Sequence, residues 1–439
     1  MPRIRSRKTS SGALPYPASK PKPTTKKLTT TKPTTKKPNG KATAAAAAAV
    51  TAARKHANFI NAMLESEFLE LESPLPSTAL GDLSNPILRV FKATNFVNVK
   101  DYSVMEPSVR LASHLLKHPS LRPMLRTILK HGNMIPLREK ESSGNFLYRY
   151  PDDSAAAVTG DDVALIDTAL DDLAEFVTFE AMGKHGPADA RTAIIVKRKA
   201  KRVHTTETLP GHHSRVEYSL ALLRRLEEAS KPPSSKQDKP FLLVWRFSLA
   251  VQLAHEVCHA LINAKDGRLK AFHAEPFFHG ALTAEVGFAM EETLFGGSPA
   301  LLWQEEQPDD EQATRVHHIS KRKLSDLVGV YVLWSWPCTS IIRDYQAQNC
   351  ALHMRKADMA ALKPKDVAWR ISLEDLSRFF DTAFWAQENP DTIFDRSVGF
   401  AFISNDKGER SPAEVSKQEL RSYATRAFKI SKRKAIVMK

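Results

Sequence analysis

Two imidazoles four residues apart, with a carboxylate beside the first, stand in the stretch LAVQLAHEVCHALINAKDG (residues 249–267): His255, Glu256 and His259. On a helix, residues four apart lie about 40° apart around the axis, one turn above the other. His255 and His259 can then present two nitrogens to one ion, and Glu256 is displaced to the side. From there it can take a proton from a water polarised by the ion without filling a coordination position. That is an arrangement for amide hydrolysis assisted by zinc, which activates the water and polarises the carbonyl. The alternative is a core helix that happens to contain histidines. Its other positions are apolar, Leu249, Val251, Leu253, Val257, Leu261 and Ile262 among them. Three polar groups on such a helix need partners in either case. Cys258, about 100° from His259 around the axis, reads as a packing residue.

A catalytic zinc site takes three protein ligands. The segment LTAEVGFAMEETLFGG (282–297) reads as a second helix ended by Gly296 and Gly297. On it Glu285 and Glu292 share a face with Ala281, Phe288 and Ala289, Glu291 points away, and Gly287 allows close approach of a neighbouring helix. Glu285 is the preferred third ligand, with Glu292 as a supporting group or substitute. His273, Glu275 and His279, in AFHAEPFFHG, compete for the position. Pro276 and the two phenylalanines there suggest a tight turn against the core, which would make Glu275 structural. Tyr331, His279 and the pair His317–His318 are unranked choices for stabilising an oxyanion. Trp334 and Trp336 read as core rather than as cleft walls.

The elements that must position these groups follow from pattern. Strong helix formers without a breaker begin a helix within 42–72. VRLASHLLKHPSLRPMLRTILKHG gives two amphipathic helices punctuated by Pro119 and stopped by Gly132. A helix is expected at 160–182, one or two strands at 192–207, and a helix at 214–229. A loop at 231–240 leads to a short strand, FLLVWRF, and then the motif helix. Residues 307–316 read as an acidic loop, LVGVYVLWSWP as core, and ISLEDLSRFFDTAFWAQENP as helical. The expected division is an arm at 1–42, a helical region at 43–150, a catalytic core at 151–345 and a helical C-terminal region with a basic tail at 346–439.

The net charge of +15 is not spread over the chain. Of its 64 Lys and Arg, 14 lie in residues 1–64, which contain no Asp or Glu, leaving 50 basic residues against 49 acidic ones elsewhere. The near-neutral body argues against a large phosphate-binding surface. The low-complexity arm, in which KPTTKK occurs twice, reads as disordered. It is either a contact for nucleic acid, an anionic membrane or an import receptor, or a solubilising tail. Three cysteines without a CxxC pair fit a reducing compartment, and no apolar run is long enough to span a bilayer. The expectation is an intracellular protein, cytoplasmic or nuclear.

HEVCHA on a buried helix, with a glutamate downstream on a second helix, resembles the glutamate-ligand branch of the zincin metallopeptidases, the gluzincins. The block order HEVCHA, EPFF, EVGFAMEETLFGG is also similar to a group of uncharacterised fungal proteins proposed to be metallopeptidases, over residues 190–390. The resemblance implies a zinc metallopeptidase acting on a peptide or protein substrate. In it Zn2+ is held by His255, His259 and Glu285, and Glu256 is the general base. It also implies an α+β fold: a small sheet, the central HExxH helix and a mainly helical remainder. One departure stands out. Gluzincins often place an aspartate shortly after the ligand glutamate to orient a histidine, and position 289 here is alanine. A second resemblance is to DNA–protein crosslink proteases of the SprT and Spartan type, which implies His273 as third ligand. The neutral body and the lack of zinc-ribbon cysteines weigh against it. A third reading is a zincin-fold scaffold without turnover, in which Glu256 would have no use.

Overall fold

The computed structural model describes residues 81, 83–97, 99, 101–130, 134–140, 146–151, 156–182, 190–194, 206, 208–231, 238–266, 275–278, 281, 283–301, 331–334, 338, 342, 353–354, 365–394, 399–404 and 410–412. The expected arm, the helix within 42–72 and the acidic loop lie outside them, as do His273, His279 and His317–His318.

The described fold mixes helices with small sheets, an α+β arrangement. At its centre is the motif helix, one continuous element from Asp238 to Lys265, of 28 residues and therefore roughly 42 Å long. The expected strand FLLVWRF is the first part of this helix. A short apolar run has no period that separates buried helix from buried strand, and here the run is buried on nearly every side. No described helix is long and apolar enough to cross a membrane.

Around the motif helix pack α1 (Glu106–Lys117), α2 (Arg122–Lys130), the helix Leu220–Ser230, the helix Val286–Phe295 and the short helix Leu373–Arg378. The first two are the amphipathic pair expected from the sequence, with Pro119 opening a 3-10 turn between them. One large apolar core joins the motif helix to these neighbours.

On another side lies a four-stranded sheet in the order β1-β4-β6-β5, made of Phe96–Val97, Val177–Met182, Ser214–Ser219 and Ala190–Ile194. The first three run parallel, and β5 is antiparallel to β6. Two of these strands replace helix expected from the sequence. Val177 and Phe179 are buried and Thr178 between them is exposed, the period of two of a strand. The helix at 160–182 therefore ends at Asp172. Likewise 214–219 is strand, and Ser219 caps the helix that follows by accepting the Leu222 N–H.

A five-stranded antiparallel sheet runs, in spatial order, Arg410–Pro412 (β13), Gly399–Ser404 (β12), Lys365–Arg370 (β11), Tyr331–Trp334 (β9) and Ser298–Leu301 (β8). The region 346–439, expected to be helical, thus supplies three of its strands. Pairing runs across two of the three expected divisions: β1 with β4 across 150/151, and β9 with β11 across 345/346. Trp334 is buried in this sheet, as expected of core.

Candidate metal centre

The motif helix carries His255 and His259 one turn apart, each partly exposed on an otherwise buried stretch. Their partner arrives from the chain just after β7 (Thr283–Ala284). There Glu285 is extended, with φ −154° and ψ 105°, and serves as N-cap of the helix Val286–Phe295. One of its oxygens, Oε2, accepts the Phe288 N–H at 2.5 Å. The other, Oε1, lies 3.1 Å from His255 Nε2 and 2.6 Å from His259 Nε2. The ligand atoms of these three residues lie within 4.8 Å of one another, so a single ion can touch all three. Two imidazole nitrogens and a carboxylate oxygen form a donor set that zinc accepts. The Cys258 thiol is no competitor, because burial pushes it up to about 12 and keeps it protonated.

The opposite nitrogens of both rings are held. His255 Nδ1 is 2.7 Å from Glu291 Oε1, whose other oxygen accepts the Ser298 hydroxyl at 2.5 Å. His259 Nδ1 is 2.5 Å from Glu275 Oε1, and Glu275 Oε2 accepts the Val286 N–H at 3.0 Å. Each Nδ1–H is therefore committed to a carboxylate, which fixes the ring and turns Nε2 towards the shared point. Glu275 and Glu285 both draw on N–H groups of one helix start, where unpaired donors favour negative charge.

These contacts govern the charges. Burial alone would lower the His255 pKa, but Glu285 and Glu291 override it and hold it at about 10. His259 is likewise raised well above its ordinary value, against burial, by Glu275 and Glu285. Burial would raise Glu285, and the two imidazoles outweigh it and hold its carboxyl far below the carboxylate range. Glu256 differs. It is buried, touches neither imidazole nitrogen, and burial raises its pKa despite the nearby histidines. Its Oε2 accepts the Thr192 hydroxyl at 2.6 Å. Thr192 lies on β5 opposite Val216, whose neighbour across the sheet is the buried Phe179, so it shares the face turned to the motif helix.

Of the expected site residues, the structure brings together His255, His259 and Glu285, with Glu256 beside them. Two expectations change, and the choice left open for Glu275 falls on its structural alternative. Glu292 makes no contact with either histidine, and the supporting group is Glu291. The helix starts at Val286 and not at 282, so the seven-residue spacing of Glu285 and Glu292 does not place them on one face. Glu275 is described at the Nδ1 side of His259, away from the shared point, which leaves it a positioning group. Thr192 was not anticipated at all, because its partner is 64 residues away in sequence. A usable sign for Glu291 existed: it lies four residues after Gly287, and a Cβ on Gly287 would come within 2.2 Å of the His255 ring. Both therefore belong to the face that meets His255.

Comparison with models of known families, with curated proteins and with solved structures finds no match to this chain.

Proposed function

We propose that this chain is a zinc-dependent hydrolase with a zincin-like core that cleaves peptide bonds. The observation that carries the reading is the convergence of both Nε2 atoms on one Glu285 oxygen while separate carboxylates hold both Nδ1 atoms. A core helix with incidental histidines has no need of three carboxylates arranged in this way. Zinc bound there supplies Lewis acidity, which polarises a carbonyl and makes water nucleophilic near neutral pH. Glu256 accepts the proton of the attacking water and passes it to the leaving amine. Its raised pKa suits both halves of that task, since a neutral glutamic acid must be accessible after the first transfer. Thr192 holds Oε2 and leaves Oε1 for the reacting proton.

Zinc stoichiometry by elemental mass spectrometry tests the centre. One zinc per chain is expected in the wild type and in His273→Ala. Loss of zinc is expected in His259→Ala and Glu285→Ala. Retention in Glu285→Ala with loss in His273→Ala would replace this centre by a three-histidine one. Peptide hydrolysis by the loaded wild type, abolished in Glu256→Gln with zinc retained, separates an enzyme from a scaffold.

A further inference from the structure

The motif helix carries polar groups beyond its two histidines and glutamate. Ser248 and Gln252 continue the line of Glu256 towards the N-terminus at four-residue intervals. At about 100° per residue, Ser248, Gln252, His255, Glu256 and His259 fall within an arc of about 100°. Over residues 242–264 the only partly exposed positions are Trp245, Arg246, Gln252, His255 and His259. Gln252 is thus partly exposed on the same arc as the two imidazoles.

Two atoms on this arc are buried without a hydrogen-bond partner among the described residues: Ser248 Oγ and Gln252 Oε1. Ser248 is only 5% exposed. The contrast with the other end of the arc is direct. Asn263, one turn beyond His259, donates to Ser214 Oγ at 3.1 Å and is satisfied within the fold. A buried hydrogen-bonding atom without a partner destabilises the folded state, and native proteins keep few of them. Two in succession, about one and two turns before His255, have the chemistry of a recognition subsite.

We propose that Gln252, supported by Ser248, forms a polar subsite that selects a neutral amide side chain, asparagine or glutamine, beside the scissile bond. The proposal rests on the metal-centre reading above. Gln252 offers one acceptor and two donors, matching a carboxamide in a paired arrangement, and the Ser248 hydroxyl can donate or accept. Neither side chain carries a charge, so the pair would not draw an acidic or basic side chain. A site built to hydrogen-bond its substrate rejects an isostere lacking the group, because its own buried atoms are then left unpaired.

Two dipeptide amides bearing a hydroxamate, with glutamine or the near-isosteric methionine next to it, are titrated into the zinc-loaded full chain by calorimetry. The wild type is expected to bind the glutamine probe about tenfold more tightly, the equivalent of one well-made hydrogen bond. Gln252→Met should abolish or invert that preference, and Ser248→Ala should narrow it. Without a probe, Gln252→Met should melt no lower than the wild type, since it removes an unpartnered buried atom. Equal binding of the probes by the wild type, no binding of either, or an unchanged preference in Gln252→Met would overturn the subsite. So would a melting point several degrees lower, which would assign the carboxamide to the fold. Failure of the wild type to take up zinc would instead remove the metal centre, and the subsite with it.

Discussion

Each imidazole of the centre is gripped from behind by a carboxylate that is itself held, Glu291 by Ser298 and Glu275 by the Val286 N–H. Replacing Glu291 or Glu275 by Gln keeps the shape but weakens the hold on the ring, and zinc affinity is expected to fall roughly 10- to 100-fold. Competition with a chelator of known affinity measures this. Unchanged affinity in both variants would show that the carboxylates are incidental. Thr192→Val should leave zinc content intact and lower hydrolysis by roughly tenfold, because a misplaced base loses its alignment while the ligands do not. Thr192→Ser should restore most of the rate. The sequence displayed His255, Glu256, His259 and Glu285 because a four-residue spacing and a neighbouring helix signal are local. Thr192 was not legible as a support, and Glu275 only as one of two alternatives, since their partners are met only once a strand and a turn have been brought against the motif helix.

The close approach of two helices depends on Gly287, where a Cβ would fall within 2.2 Å of the His255 ring. Gly287→Ala is expected to cost about 1–3 kcal/mol through overpacking and to displace His255, lowering both the melting temperature and the zinc content. Full zinc occupancy at the wild-type melting temperature would contradict this account. A second helix contact responds to pH. Trp385, on the short helix Thr382–Trp385, stacks on His114 of α1 at 4.5 Å and meets His118 edge-on at 6.2 Å. Burial lowers the His114 pKa to about 4, and burial also lowers that of His118 against the Pro390 carbonyl. The neutral rings are favoured in the folded state, so this docking is complete above the ordinary histidine value of 6.5 and weakens as pH falls from there towards 4. Trp385 fluorescence should report the loss over that window, and His114→Phe should flatten much of it. At this scale the amphipathic helices were readable from their period. The strands at 177–182 and 214–219 were not, because each adjoins a helix with no breaker between them, and only cross-sheet pairing decides where one ends.

The charge of the whole chain is divided in a way that separates two questions. Deleting residues 1–64 removes 14 basic residues and no acidic ones. Zinc content and hydrolysis should survive that deletion, and any salt-sensitive binding to nucleic acid should disappear. Binding that persists at equal salt dependence would locate a polyanion surface on the near-neutral body. The carboxylates packed around His255 and His259 have a further effect, felt in the solution around the protein. At neutral pH both rings carry their full complement of hydrogens, held there by Glu275, Glu285 and Glu291. Uptake of an ion at the Nε2 atoms must expel one hydrogen ion from each ring. Loading is thus also an acid release, and its apparent strength should climb up to about a hundredfold per pH unit across the neutral range. Titration heats measured in buffers of differing ionisation enthalpy would count the ions released, with two per zinc as the expected figure. On the proposed reading, zinc would load more readily in alkaline surroundings and leave on acidification.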